Sequence, residues 1–359
     1  MKVRISHPEA DKSSNRFDEH LRSIVATIGD VARVAGVSRS TVSYALSGKR
    51  PISGETNERI QAAIAELGFT INAGARALAT SQTMVLALFL QFHDDEFPPA
   101  MLQYIYAISE AAREEGYDLL MVTDSDGPGA VRRITSSNMV DGVLLLDVTH
   151  DDPRLEALRG ARQPGALIGL PRDIDGLDVF DLDFGESARL LIDHLHELGH
   201  SEVVLLTPPR HVFERGGAYA WRFRDAAMER AARYNMTLSS YYGESQQPAI
   251  DRSLDEMLDH RTTATAMIVH NDASIAALPR VLARRGTRVP EDLSVVSLFP
   301  REFGRSFQLP FTAVETSPDG LAREAVQHLI RRIADPNYAA SVVKFIDPEL
   351  TIRGSTATL

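Results

Sequence analysis

The chain has 359 residues, no cysteine and a formal net charge of −11 at neutral pH, which is too long for one ordinary core and suits two or three compact units. Without cysteine there is no disulfide framework and no thiolate chemistry, and no apolar run reaches the ~18 residues needed to span a bilayer. Charge is unevenly placed: residues 1–80 hold 11 Lys+Arg against 8 Asp+Glu, net +3, so residues 81–359 carry −14, the pattern of a small polyanion-binding head on an acidic body.

Residues 1–26 are polar, lack the apolar stretch of a signal peptide and are expected to form a disordered extension of a cytoplasmic protein. Three short helices follow. Thr27 and Asp30 form a capping-box pattern, with Ile28, Val31, Ala32 and Ala35 as the apolar stripe and Gly36 as the stop. Ser38 is placed to cap a second helix from Arg39 to about Ser47, in which Val42, Ala45 and Leu46 face inward while Arg39, Ser40, Ser43 and Tyr44 face out. After the SGKRP turn, Ser53 caps a third helix whose stripe is Ile60, Ile64 and Leu67, stopped at Gly68.

Helix, tight glycine turn, helix is the helix-turn-helix arrangement, whose second helix lies in the major groove with its N-terminal residues against base edges. The outward face suits that use: Arg bonds guanine bidentately, Ser lets the backbone approach, and Tyr offers a hydroxyl and a flat apolar surface to a thymine methyl. Thr27, Ser38, Thr41, Ser53 and Thr56, near helix starts, and Arg50 in the turn are the candidates for phosphate contacts.

The runs TIGDVARVAGVSRSTVSYALSG and ISGETNERIQAAIAELGFTINAGARALAT resemble the N-terminal domain of the LacI/GalR family of bacterial transcription regulators. The resemblance implies that Arg39, Ser40 and Tyr44 occupy the three base-reading positions. It also implies that residues 72–82 are a hinge helix and linker that order on DNA, with Leu78 entering the minor groove as a wedge beside Ala77. Such a wedge trades unstacking energy for a bent site that touches more protein. Ile71 departs from the family, which usually has Pro there.

From Met84 short apolar runs alternate with helical segments. VLALFL, YDLLMVT, GVLLLDV, GALIGL, EVVLLT, AMIVHN and LSVVSL read as buried parallel strands, giving a doubly wound α/β body long enough for two subdomains with a cleft at their strand ends. FDLDFGESARLLIDHLHELGH and the stretch from TTATAMIVHND onward resemble the periplasmic-binding-protein-like core of the same family. That resemblance implies an effector-binding and dimerisation core over residues 83–359, with an N-subdomain of about 83–180 and 315–344 and a C-subdomain of about 181–314 and 345–359. The crossings are expected near Phe180, Val314 and Lys344.

Three charged anchors of sugar-binding relatives are replaced here by Gly169, Tyr219 and Phe299. Asn271 stands where the family has its ligand-contacting Asn, Arg222 is expected to replace the lost Arg from the next turn, and Phe97, Tyr219 and Phe299 are expected as cleft walls. His194, His196 and His200 do not share one helix face, so no metal site is read from them. No phosphate loop, dinucleotide fingerprint or nucleophile elbow occurs, so no cofactor and no catalysis are expected. The expected partners are operator DNA, a second copy of the chain and a small effector. The effector is a sugar or glycoside by family; a phosphorylated or less polar metabolite, or none at all, stays open because the anchors are missing. The same body would serve a solute-binding receptor, against which the attached reading head and the lack of a signal peptide argue.

Overall fold

The computed structural model describes residues 26–47, 50–69, 82–93, 98–260, 263–339 and 341–359. The chain divides into two units, residues 1–83 and 84–359.

In the first unit, helices α1 (Ile28–Ala35), α2 (Arg39–Ser47) and α3 (Gly54–Leu67) enclose one small core. The capping box of α1 is complete: the Asp30 amide donates to Thr27 Oγ1 at 3.3 Å and the Thr27 amide donates to Asp30 Oδ2 at 3.1 Å. Gly36 closes the helix at φ 67°, a left-handed conformation that glycine adopts without steric cost. Val31, Ala32, Ala35, Val42, Ile60 and Ala63 are buried, while Ala45, Leu46, Ile64 and Leu67 only partly are, since about forty residues cannot bury a whole stripe on every helix.

The second unit follows the alternating order expected of βαβ units. Strands β1 (Val85–Phe89), β2 (Asp118–Val122), β3 (Gly142–Leu146), β4 (Gly165–Ile168) and β5 (Asp178–Leu182) are joined by α4 (Pro98–Glu114), α5 (Gly127–Ser136) and α6 (Arg154–Arg159). There follow α7 (Phe184–Glu197), β6 (Glu202–Thr207), α8 (Arg210–Glu214), α9 (Ala218–Arg233), β7 (Thr237–Tyr242), α10 (Ala249–His260), β8 (Ala266–Val269), α11 (Asp272–Arg285), β9 (Ser294–Pro300), α12 (Arg301–Gly304) and β10 (Thr312–Thr316). Helix α13 (Pro318–Ala334) and strands β11 (Val343–Ile346) and β12 (Leu350–Thr351) complete it.

The strands form two sheets, ordered β11-β5-β4-β3-β1-β2 and β12-β10-β9-β8-β6-β7. All pairings are parallel except that of β10 with β12. Each is a doubly wound sheet of order 2-1-3-4-5 with an added edge strand, so each has a switch point where its first strand lies beside its third, and ligands collect at the carboxyl ends there. The two-residue alternation of a strand fills both faces: Leu86 and Leu88 pack under α4 and α13, whereas Ala87 and Phe89 pack under α5 and α6. The second sheet is likewise covered by α7 and α9 on one face and by α10 and α11 on the other.

The chain passes between the sheets after Leu182, Thr316 and Ile346, in each case two residues beyond the expected crossing. Strands β5, β10 and β11 finish inside their own sheets before the chain leaves. Strands β5, β7, β10, β11 and β12 are not among the seven apolar runs of the sequence: β7 is a largely exposed TLSSYY edge, β11 is a mostly exposed edge and β12 has two residues, while β5 and β10 are broken by carboxylates.

Candidate functional site

Two sets of residues are candidates. The first lies on the helix-turn-helix unit. At the start of α2 the Ser38 hydroxyl accepts the Thr41 amide at 3.1 Å and lies 2.7 Å from Ser40 Oγ and 2.8 Å from Thr41 Oγ1, so the three hydroxyls form one cluster. Arg39 is exposed and its guanidinium folds back along Gly29 of α1, where an added Cβ would stand 2.8 Å from Nη2. Gly29 is therefore a determinant of Arg39's position that the sequence pattern does not reveal. One turn on, the Arg50 guanidinium lies 5.3 Å from the centre of the Tyr44 ring, a cation–π contact that ties the turn to the reading face. Ser53 donates to Thr56 Oγ1 at 2.8 Å and accepts the Thr56 amide at 3.3 Å. Leu78, Ala77, Ile71 and Phe97 lie outside the described residues.

Capping and phosphate binding make different demands on Ser53, and substitutions separate them. Ser53→Ala is expected to destabilise the head by about 1 kcal/mol through the lost cap. Ser53→Asp restores the cap but opposes a phosphate. If this position meets DNA, the Asp variant melts like the parent in a thermal scan yet binds operator more weakly; equal binding would leave Ser53 a cap alone.

The second set lines a cavity of about 210 Å³ between the two subdomains. Its walls are strand ends: Leu146–Val148 after β3, Ile168–Leu170 after β4, Asp181 and Leu182 of β5, Pro208 and Pro209 after β6, His270–Ala273 after β8, Leu298 and Pro300 of β9, and Thr316 of β10. Tyr104 of α4, Phe184 of α7 and Tyr219 of α9 add aromatic surface. Asn271 caps α11; its side chain accepts the Ser274 amide at 2.8 Å and donates to the Thr207 carbonyl at 3.4 Å, which leaves part of the amide to meet a ligand.

Tyr219 and Asn271 line the cavity as expected, but two expected residues do not. Phe299 is 2 % exposed and packs on Phe307, with ring centres 5.1 Å apart, on the face of β9 away from the cavity. Its neighbours Leu298 and Pro300 face the cavity instead, because alternate residues of a strand take opposite faces. Arg222 bonds to Asp181, joining α9 of the C-subdomain to β5 of the N-subdomain, and its guanidinium lies 5.4 Å from the Phe184 ring and 5.9 Å from the Phe345 ring. It is a bridge between subdomains, not an arm into the cavity.

Other contacts also cross the cleft. The His150 amide donates to the Gly216 carbonyl at 2.9 Å, Thr149 forms an antiparallel bridge with Gly217, and the Tyr104 hydroxyl donates to Thr316 Oγ1 at 3.3 Å.

The sequence pattern does not mark the charged groups of the cavity: they are Asp147 and Asp272, each at the end of an apolar run, and Asp181 within β5. Burial raises the pKa of Asp181 to about 6, with Arg222 working against it, and burial raises Asp272 to about 7. Asp147 is also raised by burial, opposed by Arg215, Arg154 and His93. Burial holds His270 down to about 3, so it stays neutral. His194, His196 and His200 go to separate partners: His194 to Thr356 at 3.1 Å, His200 to Thr265 at 2.8 Å, and His196 onto the Tyr234 ring at 3.9 Å. No group of three or more potential metal ligands occurs among the described residues.

A helix-turn-helix unit joined to a two-subdomain body with a strand-end cleft narrows the comparison. Residues 27–72 match the model of bacterial regulatory proteins of the lacI family, and residues 192–356 match a periplasmic binding protein-like domain. The chain thus carries a lacI-family DNA-binding domain and a periplasmic-binding-protein-like domain. The chain is 29% identical over 315 residues to the HTH-type transcriptional regulator CelR of Thermobifida fusca, covering 86% of this chain and 92% of that one. It is 26% identical over 346 residues to the HTH-type transcriptional repressor PurR of Haemophilus influenzae, covering 93% of this chain and 100% of that one. Among solved structures, a CelR–cellobiose complex matches with TM-score 0.63 at 25% identity, covering 92% and 99% of the two chains. The lac repressor dimer bound to operator and the anti-inducer ONPF shares the fold, with TM-score 0.77 at 22% identity over 92% and 99% of the chains.

Proposed function

We propose that this chain is a member of the lacI family, a cytoplasmic, sequence-specific repressor that binds a palindromic operator as a homodimer, and that a saccharide in the cleft sets its operator affinity. The observation that carries the reading is the joint occurrence of a helix face with Arg39 and Ser40 exposed and Tyr44 half-buried and a strand-end cleft rich in carboxylate and aromatic surface. Carboxylates and amides orient hydroxyls, and flat rings cover sugar faces. The solved relative bound to cellobiose supports a saccharide, and the regulator names of the relatives support DNA as the partner.

One head covers a half-site, so a two-fold operator needs two copies. Ligand binding would change the balance of subdomain arrangements, a coupling of typically 1 to 3 kcal/mol in regulated proteins.

Selection of bound sequences from random DNA tests the reading. The expected product is a palindrome of about 14 to 20 base pairs centred on a flexible pyrimidine–purine step. Leu78→Ala is expected to weaken binding to that site and reduce its bend in a gel-phasing assay. A selection that returns no symmetric site removes the repressor reading, and saccharides that leave operator affinity unchanged remove the effector.

A further inference from the structure

The cleft carries negative charge that the lining does not answer. Among the described residues that line it, Asp147, Asp181 and Asp272 are acidic and none is Lys or Arg. Asp181 has its partner in Arg222. Arg154 bonds Asp152 at 2.6 and 2.9 Å and the carbonyls of Phe89, Leu146 and Asp147, and Arg215, outside the lining, acts on Asp147 together with it. Asp272 therefore faces the cavity with no cation among the described residues acting on it, while the cations that act on Asp147 stand outside the lining.

Asp147 is also held at φ 54°, a left-handed backbone that few side chains adopt. Such outliers gather at ligand sites, where the surrounding structure maintains them. Here the turn leaves Asp147 at the end of β3, beside the switch point of the first sheet, while Asp272 opens α11 after β8, at the corresponding place in the second. The two carboxylates thus stand on opposite walls, one from each subdomain.

We propose that the cleft selects a saccharide carrying a protonated amine, whose ammonium is received by Asp272 and Asp147. An ammonium donates charge-assisted hydrogen bonds, about twice as strong as those of a neutral hydroxyl, and it relieves the cost of keeping two carboxylates out of water. Burial raises the pKa of both groups, that of Asp272 to about 7, which is the cost a bound cation would offset. A phosphorylated or uronic sugar would meet like charge on both walls. The inference rests on the saccharide reading of the cleft and adds the charge of the ligand to it.

Calorimetry on the full chain at pH 7 tests it with four disaccharides: the deacetylated glucosamine dimer, its N-acetylated form, cellobiose and a cellobiose phosphate. The free amine is expected to bind at least tenfold tighter than cellobiose and the acetylated form, with the phosphate weakest. Asp272→Asn and Asp147→Asn are each expected to bring the amine-to-cellobiose ratio toward one, whichever way the separate affinities move. Folding of the variants is checked by the fluorescence of Trp221, the single tryptophan. The inference is overturned if cellobiose binds as tightly as the amine, if the phosphate binds best, or if the ratio survives both substitutions. In the first two cases the saccharide reading stands without it; if none of the four binds, both fall.

Discussion

Arg222→Ala is expected to lower the stability of the ligand-free body by about 3 kcal/mol at pH 7.5 and by only about 1 kcal/mol at pH 5. The difference follows from Asp181. Its side chain is 6 % exposed and that of Arg222 20 %, so the pair is withdrawn from water, and removing one partner of such a pair leaves a charge without compensation. Asp181 titrates at about 6 in the folded protein, against an ordinary value of 3.8. A group whose folded pKa is raised adds stability fully below its unfolded pKa and loses it as pH rises through the folded one. The contribution of protonated Asp181 is therefore lost between about 4 and 6 in the parent, where Arg222 limits the loss by holding the carboxylate. Without Arg222 the loss continues to higher pH. At pH 5 the group is mostly protonated in both proteins, and what remains is the packing of the guanidinium on Phe184 and Phe345.

Denaturant unfolding followed by Trp221 fluorescence measures this directly. A penalty that is the same at both pH values would mean that Arg222 acts by packing alone. The double change Asp181→Leu, Arg222→Met is expected to recover most of the loss, since apolar replacement of a buried pair is often neutral. It should also loosen the subdomains, because this pair is one of the contacts across the cleft, joining β5 to α9.

How much of this was legible in the sequence depended on how far each signal reached. The head was read almost residue by residue, because caps at Thr27 and Ser53 and the stops at Gly36 and Gly68 act within one helical turn. The seven apolar runs marked the central strands for the same local reason. Strand β7 escaped because an exposed edge needs no apolar run, and it is held by pairing with β6. The cleft was harder. Phe299 and Leu298 are adjacent, equally apolar and both at a strand end; which of them faces the cavity is a matter of one residue of register. Arg222 could be placed near the cleft from its helix, but its partner Asp181 lies 41 residues away on the other subdomain. Asp147 and Asp272 each end an apolar run, a visible feature, yet only the strand order brings those ends to one cavity.

Arg39→Ala is expected to cost about 1 to 3 kcal/mol per half-site on the selected operator and to relax base preference at one symmetric pair of positions. The side chain is exposed at the start of α2 and, among the described residues, is not paired to a carboxylate; it rests along Gly29, from which a rotation about its own bonds frees it. Its fork of donors matches the two acceptors of guanine in the major groove, whereas a lysine there supplies charge without the bidentate match. Arg39→Lys should accordingly keep the non-specific affinity and lose most of the discrimination. Gly29→Ala would crowd the resting guanidinium without touching DNA, so it should alter affinity less than Arg39→Ala does. Arg50 makes the contrast. It sits over Tyr44 from the turn, and if it meets a phosphate, Arg50→Ala should weaken all sequences alike and flatten the salt dependence by roughly one unit per half-site. Binding titrations of parent and variants against the operator, a single-base variant and unrelated DNA at several salt concentrations separate the two roles. If Arg39→Ala lowers all three affinities equally, Arg39 is a phosphate contact and the base-reading assignment of α2 fails.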